Sequence, residues 1–134
     1  MSLQAAIEAE LPRLRAEATA RMTSRANVRR ATGDTTQVDG YDVPEWATIH
    51  AAIPFRFVGG ESRKVTIGGV DFQEATGRGD FPWDTTDLAD GDLVEITVGE
   101  WAGTVLRIVE AVKGDQRTAR RVPVQETVRP GEWA

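Results

Sequence analysis

Residues 92–98, DLVEITV, alternate polar and apolar side chains, so an extended backbone puts Val94, Ile96 and Val98 on one side. A two-residue period is the signature of a half-buried strand and cannot present one apolar face from a helix. The chain must therefore be built around a sheet. GTVLRIVEAV and ARRVPVQETV supply two further strands, with KGDQ as the turn between them. Earlier, ANVRRAT reads as the first strand and GDTTQVDGYDVPEW as a long polar connection rich in turn residues. ATIHAAIPFRFVGG follows, and Pro54 assigns part of it to an edge or bulge. RKVTIGGVDFQEATGRGDF reads as one long strand bent or bulged at Gly68–Gly69. The expected fold is mainly β: a small antiparallel barrel or sandwich of five to six strands behind an N-terminal α-helix.

The helix is predicted from Ile7, Leu11, Leu14, Ala18 and Met22, spaced by 4, 3, 4 and 4 residues. Pro12 should kink it or begin a second segment. Its apolar face packs on its own domain, or it docks on a neighbouring subunit through Leu11, Leu14, Arg15 and Arg21. The organisation read from the sequence is a helical segment over 1–24, a β-domain over 25–128 and a tail over 129–134, RPGEWA, either loose or docked on a partner. A length of 134 residues suits one domain with an ordinary core.

Composition narrows the function classes. Apolar residues make up 40% and charged residues 28%, the balance of a globular protein. No run of apolar residues is long enough for a membrane helix, and no membrane association is expected. Glu8, Glu10 and Glu17 argue against a leader peptide. With 0 cysteines, disulfides, thiolate metal sites and thiol nucleophiles are excluded.

The net charge of −5 argues against general nucleic-acid binding, yet it is unevenly spread. Residues 1–30 hold six arginines against three glutamates, whereas residues 80–100 hold seven acids and no base. A split of this kind suits head-to-tail contact between copies or with neighbours.

Candidate chemistry is sparse. His50, the one histidine, lies in a strand and is expected to be structural. Ser2, Ser24 and Ser62 sit in no nucleophile-elbow context, and no phosphate loop is present. DFPWDTTDLADGD is the best candidate for a metal, but its aspartate spacing is not that of an EF-hand, so no metal, cofactor or catalytic residue is assigned. Among the four tryptophans, Trp83 and Trp133 stand in polar or terminal contexts and are candidate interface anchors.

The order of VRRATG, IPFRFVGG…RKVTIGGVDFQEATGRGDFP, LADGDLVEITVGEWAGTVLRIVEA and GDQRTARRVPVQE resembles a family of small actinobacteriophage and prophage proteins, DUF6093, over nearly the whole chain. By analogy that family is similar to the head-closure, or stopper, connectors of long-tailed phages. The resemblance implies a non-enzymatic virion protein, made in the host cytoplasm and placed at the head–tail neck. It implies a ring of six or twelve copies that retains packaged DNA and joins the portal or adaptor to the tail terminator or tail tube. Passing duplex DNA would be met without sequence-specific contact. In such a ring Asp80, Asp84, Asp87 and Asp90 are candidates to face the channel, with Phe81 and Trp83 anchoring or plugging. VGGESRKV, through Arg63 and Lys64, is the rival channel loop. A solvated acidic loop, or one paired with arginines of the next subunit, is the competing reading of the aspartates.

A tail-terminator or adaptor role is the nearest alternative. A monomeric OB-like or SH3-like binding module, hinted at by Phe55, Arg56 and Phe57, comes from a different class. An aspartate and metal hydrolase is a third reading.

Overall fold

The computed structural model describes residues 3–111 and 118–133, and within them the side chains of residues 4, 60–65, 67 and 70–75 stand outside the description. The KGDQ turn, residues 113–116, falls outside the described residues. Among these residues the chain forms α1 (Leu3–Ala20), β1 (Ser24–Val38), β2 (Tyr41–Ile67), β3 (Val70–Pro82), β4 (Leu93–Val98), β5 (Val105–Ile108) and β6 (Ala119–Thr127). The strands close into an antiparallel barrel in the order β1-β2-β3-β6-β5-β4, with β1 returning to β4. The expected mainly β architecture with an N-terminal helix is what the chain adopts.

One predicted connection is a pair of strands, and one predicted bend is a turn. GDTTQVDGYDVPEW is no loop: β1 and β2 continue through it as a hairpin paired from Thr35↔Pro44 to Val38↔Tyr41. Its tip is Asp39–Gly40, with φ of 51° and 83°. Positive φ at both centre residues defines the type I′ turn, whose twist matches that of the flanking strands. Gly68–Gly69 is likewise a turn and not a bend within one strand: φ is 59° and 80°, and Ile67 pairs with Val70 across it. Both corrections have one cause. A two-residue turn with positive φ lets a strand reverse without a loop, so a long polar stretch can be paired strand and a Gly-Gly step within a strand pattern can be a full reversal.

β2 is therefore a 27-residue strand with two partners. It pairs with β1 as far as Phe55 and with β3 from Arg56 onward. The expected irregularity near Pro54 is a bulge centred on Ala52, which has φ of 51°. The Ala52 amide donates to Asn27 Oδ1 at 2.9 Å, so the disturbed ladder leaves that group satisfied. Pro54 lacks a donor, and it stands just before β3 pairing begins.

Inside the barrel Phe55, Phe81, Val28, Val94, Ile96, Leu106 and Ile108 are fully buried. The Phe55 and Phe81 rings lie 5.0 Å apart at 57°. Gly79 is required here, because a Cβ would come within 2.9 Å of Phe55 and 3.3 Å of Val124. Val98, expected to share the buried face of Val94 and Ile96, is exposed: β4 has passed the end of the core.

α1 is one helix through Pro12, not two segments. Leu11 and Met22 are buried and Leu14 and Ala18 half-buried, whereas Leu3 and Ile7 are exposed. Only the later part of the predicted face is thus in contact, on β3 and β6.

The tail is not loose. Trp133 is buried on the outer barrel surface against Leu93 and Val105 and meets Trp46 edge-on, with centroids 5.2 Å apart. Arg29 stacks over the Trp133 ring at 4.4 Å, and both Arg29 and Arg129 bind Glu95. Trp46 Nε1 donates to Glu132 at 2.8 Å. Two apolar residues and a carboxylate on the outer face of β4 and β5 thus gain a cover from the last residues of the chain. Trp133→Ala should lower unfolding free energy by about 3 kcal/mol, the usual cost of truncating a buried aromatic. Urea denaturation checks this; an unchanged midpoint would mean that the tail adds nothing to the barrel.

Candidate functional site

The acidic residues that the sequence singles out lie at the end of β3 and in the loop that carries the chain to β4. The loop begins with a turn, Thr85 N–H to Pro82 O at 3.0 Å, and Leu88 drives an apolar anchor into the core. Asp92 is its deepest acid. Its carboxylate is 1% exposed and takes a bidentate pair from Arg30 of β1, both contacts at 2.8 Å. Asp92 Oδ2 also accepts the Ala89 amide at 2.9 Å, and the Asp92 backbone pairs with Ile108. The hydrogen bonds to Asp92 push the Arg30 guanidinium above its ordinary value. The pair ties β1 to β4 through side chains, beside the ladder where the barrel closes.

The other aspartates also have internal partners. Asp90 Oδ1 accepts the Ala111 amide at 2.7 Å. Asp87 lies 2.6 Å from His50 Nε2, and its carbonyl accepts Arg30 Nη2 at 2.7 Å. The hydrogen bond from His50 holds the Asp87 carboxyl below its ordinary value of 3.8. Asp80, on β3, is buried and gripped by Arg78 through contacts at 2.8 and 3.1 Å. Asp84 is exposed and has no partner among the described residues. Of the predicted channel-facing set, the structure thus leaves Asp84, Asp87 and Asp90 at the surface and places Asp80 beneath it. Arg63 and Lys64 pair through their backbones with Glu74 and Gln73 in the second hairpin; their side chains lie outside the described residues.

Trp83, 40% exposed, carries the Arg15 guanidinium 3.8 Å above its ring, and with Pro12, Ala16 and Thr19 lines a shallow groove beside α1. Leu11 is buried and Leu14 half-buried, so part of the predicted interface set holds the helix to its own barrel. Trp133 is likewise used within the chain. Arg21 remains exposed beside a small cavity.

The His50–Asp87 pair has the residue types of the base and orienting acid of a hydrolytic triad, but no serine hydroxyl is bonded to His50 among the described residues. Ser24 lies against Gly99, where an added Cβ would collide with its hydroxyl. No group of three or more metal-ligating side chains occurs among the described residues. What the loop residues visibly do is fix the strand junctions. Arg30 was missed in the sequence because its partner lies 62 residues away. The one available signal was a basic pair, Arg29–Arg30, inside an otherwise alternating strand.

Residues 14–125 match the family described as a family of unknown function (DUF6093), and the chain belongs to that family. No curated protein and no solved structure matches the chain.

Asp92→Ala should cost about 2–3 kcal/mol, below the full value for a buried ion pair because Arg30 is partly exposed. Asp87→Ala should cost about 1 kcal/mol or less. Because the folded-state pKa of Asp87 is depressed, its contribution is present above pH 3.8 and disappears as pH falls through the lowered value. Denaturation of wild type and both variants between neutral and strongly acidic pH measures this. An Asp87→Ala deficit that persists at the acid end would contradict the assignment.

Proposed function

We propose that this protein is a structural, non-enzymatic subunit of a phage head–tail neck. It assembles with copies of itself into a ring of six or twelve and acts as the head-closure connector between portal or adaptor and tail. The reading starts from the order of sequence motifs that resembles such connectors, and membership of the family is compatible with it.

One structural observation carries it further. Both hairpins run on past the barrel as two-stranded ribbons. β4 pairs with β1 only over Arg25–Arg29, and β6 pairs with β3 only over Thr76–Pro82. Beyond those limits each ribbon has just its own two strands among the described residues. Residues 31–42 are exposed throughout, with Val38 and Tyr41 at 49% and 76% beside the first turn. An isolated two-stranded ribbon is at best marginally stable in water, so such an arm gains most by lying on another subunit.

A closed barrel has no free strand edge, which leaves the arms and outer faces for assembly. The ribbons continue the two ends of β2, so each subunit carries two different projections. Ring closure requires two unlike surfaces that fit head to tail, a condition that unlike projections satisfy. In such a ring Asp84, Asp87 and Asp90, repeated around the lumen, would repel phosphates and let a duplex slide. The host cytoplasm is then the place of assembly and the virion neck the final location.

Removing residues 34–43 and closing the hairpin with Asn-Gly tests the role of the first arm. The shortened chain should keep the unfolding midpoint of the intact barrel yet fail to support plaque formation by the encoding phage, with filled heads losing DNA. Normal plating with the shortened chain would remove the arm from assembly. A stable monomer that is absent from particles altogether would favour the binding-module reading.

A further inference from the structure

Arg56, Asp80 and Arg121 stand side by side across three strands. Arg56 on β2 pairs with Asp80 on β3, and Asp80 pairs with Arg121 on β6. Directly opposed residues share a face, and the residues on either side, Phe55 and Phe57, Gly79 and Phe81, Arg120 and Val122, are buried. The three therefore lie on the outer face. Arg78, two residues before Asp80, shares that face, and the end of α1 adds Arg21 above it. Together they line a cavity of about 200 Å³.

Its charge is unbalanced. Four guanidiniums face one carboxylate, and that carboxylate is already held bidentately by Arg78. Arg21, Arg56 and Arg121 have no carboxylate partner among the described residues, whereas Arg13, Arg29, Arg30 and Arg129 each do. In a chain of net charge −5, this is a concentration of positive charge around a small recess.

We propose that this cavity is an oxyanion site that takes one phosphate group, as the free ion or as a phosphate ester. The cavity is smaller than the roughly 300–1,000 Å³ of a typical organic-ligand pocket but suits a compact anion. Guanidinium forks match phosphate oxygens bidentately. One carboxylate offers about four acceptor sites and a single charge, and two forks would fill it. A phosphate near neutral pH carries about −1.5 to −2 and three strong acceptor oxygens, a closer match to three guanidiniums that no described carboxylate neutralises. Because Arg21 follows α1 while the other arginines come from the barrel, a bound anion would also clamp the helix end to the sheet. This site stands apart from the connector reading and is testable on the isolated chain.

The test is calorimetric titration of the full chain with inorganic phosphate at fixed ionic strength, repeated on Arg56→Gln/Arg121→Gln. Both arginines are exposed, so the variant should fold, and its unfolding midpoint in chloride verifies this. Wild type should bind one phosphate saturably, and the variant should bind about tenfold more weakly or worse, as expected for loss of charge-assisted forks. A short duplex distinguishes the sources. Duplex binding that phosphate displaces and the variant lacks indicates a phosphate ester, whereas phosphate binding without duplex binding indicates the free ion. Equal phosphate binding by both proteins, or none by wild type, overturns the proposal. So does self-association that the variant abolishes without any phosphate binding, since a carboxylate of a second copy would then be the occupant.

Discussion

The bidentate pair between Arg30 and Asp92 is the constraint on which the barrel and its surface both depend. β1 belongs to two ladders at once, and Arg30 stands just past the last β4 partner of that strand. The buried carboxylate of Asp92 both receives Arg30 and folds the preceding loop back on itself through Ala89. The Asp92 carboxylate, 1% exposed, could not be left alone there without a large desolvation penalty. The acidic loop is thus held by the same contact that pins the first strand to the fourth. Its remaining carboxylates are displayed from a fixed platform.

That arrangement changes what the acidic segment means. Seven acids in 21 residues suggest a surface of uniform negative charge, but the fold sorts them. Asp80, Asp92 and Glu95 are buried with arginine partners, and Asp90 satisfies a backbone amide. Asp87 is exposed but bonded to the sole histidine, and Asp84 projects. Positive charge is sorted as well: Arg29, Arg30, Arg78 and Arg129 meet carboxylates, while Arg21, Arg56 and Arg121 gather on the outer face of β2, β3 and β6. A protein with this division can present different charge on different faces, which suits the proposed head-to-tail assembly.

Alternation in residues 92–98 and the turn residues between the apolar runs made the β architecture and the N-terminal helix legible in the sequence. The first ribbon was not, because GDTTQVDGYDVPEW is dominated by polar and turn residues. The second was legible as strand but not as a hairpin, because VTI and VDF alternate on either side of Gly68–Gly69. Asp39–Gly40 and Gly68–Gly69 were the available marks, being dipeptides that favour type I′ turns. The docking of Trp133 was hidden for another reason: it covers Leu93 and Val105 on the outside of the barrel, where an apolar residue reads as a breach of alternation. The cross-strand row of Arg56, Asp80 and Arg121 needed register, which a single sequence does not specify for strands so far apart.

A closed barrel with a two-ended strand, arms that extend beyond it and sorted surface charge is the physical basis for the proposed connector role. Cryo-electron microscopy of intact virions of the encoding phage tests that role most directly. The account predicts a ring of this barrel between portal and tail, with the residue 31–46 ribbon of each copy lying on its neighbour and the residue 84–90 loop at the lumen. Particles whose neck contains no density for this chain would contradict it.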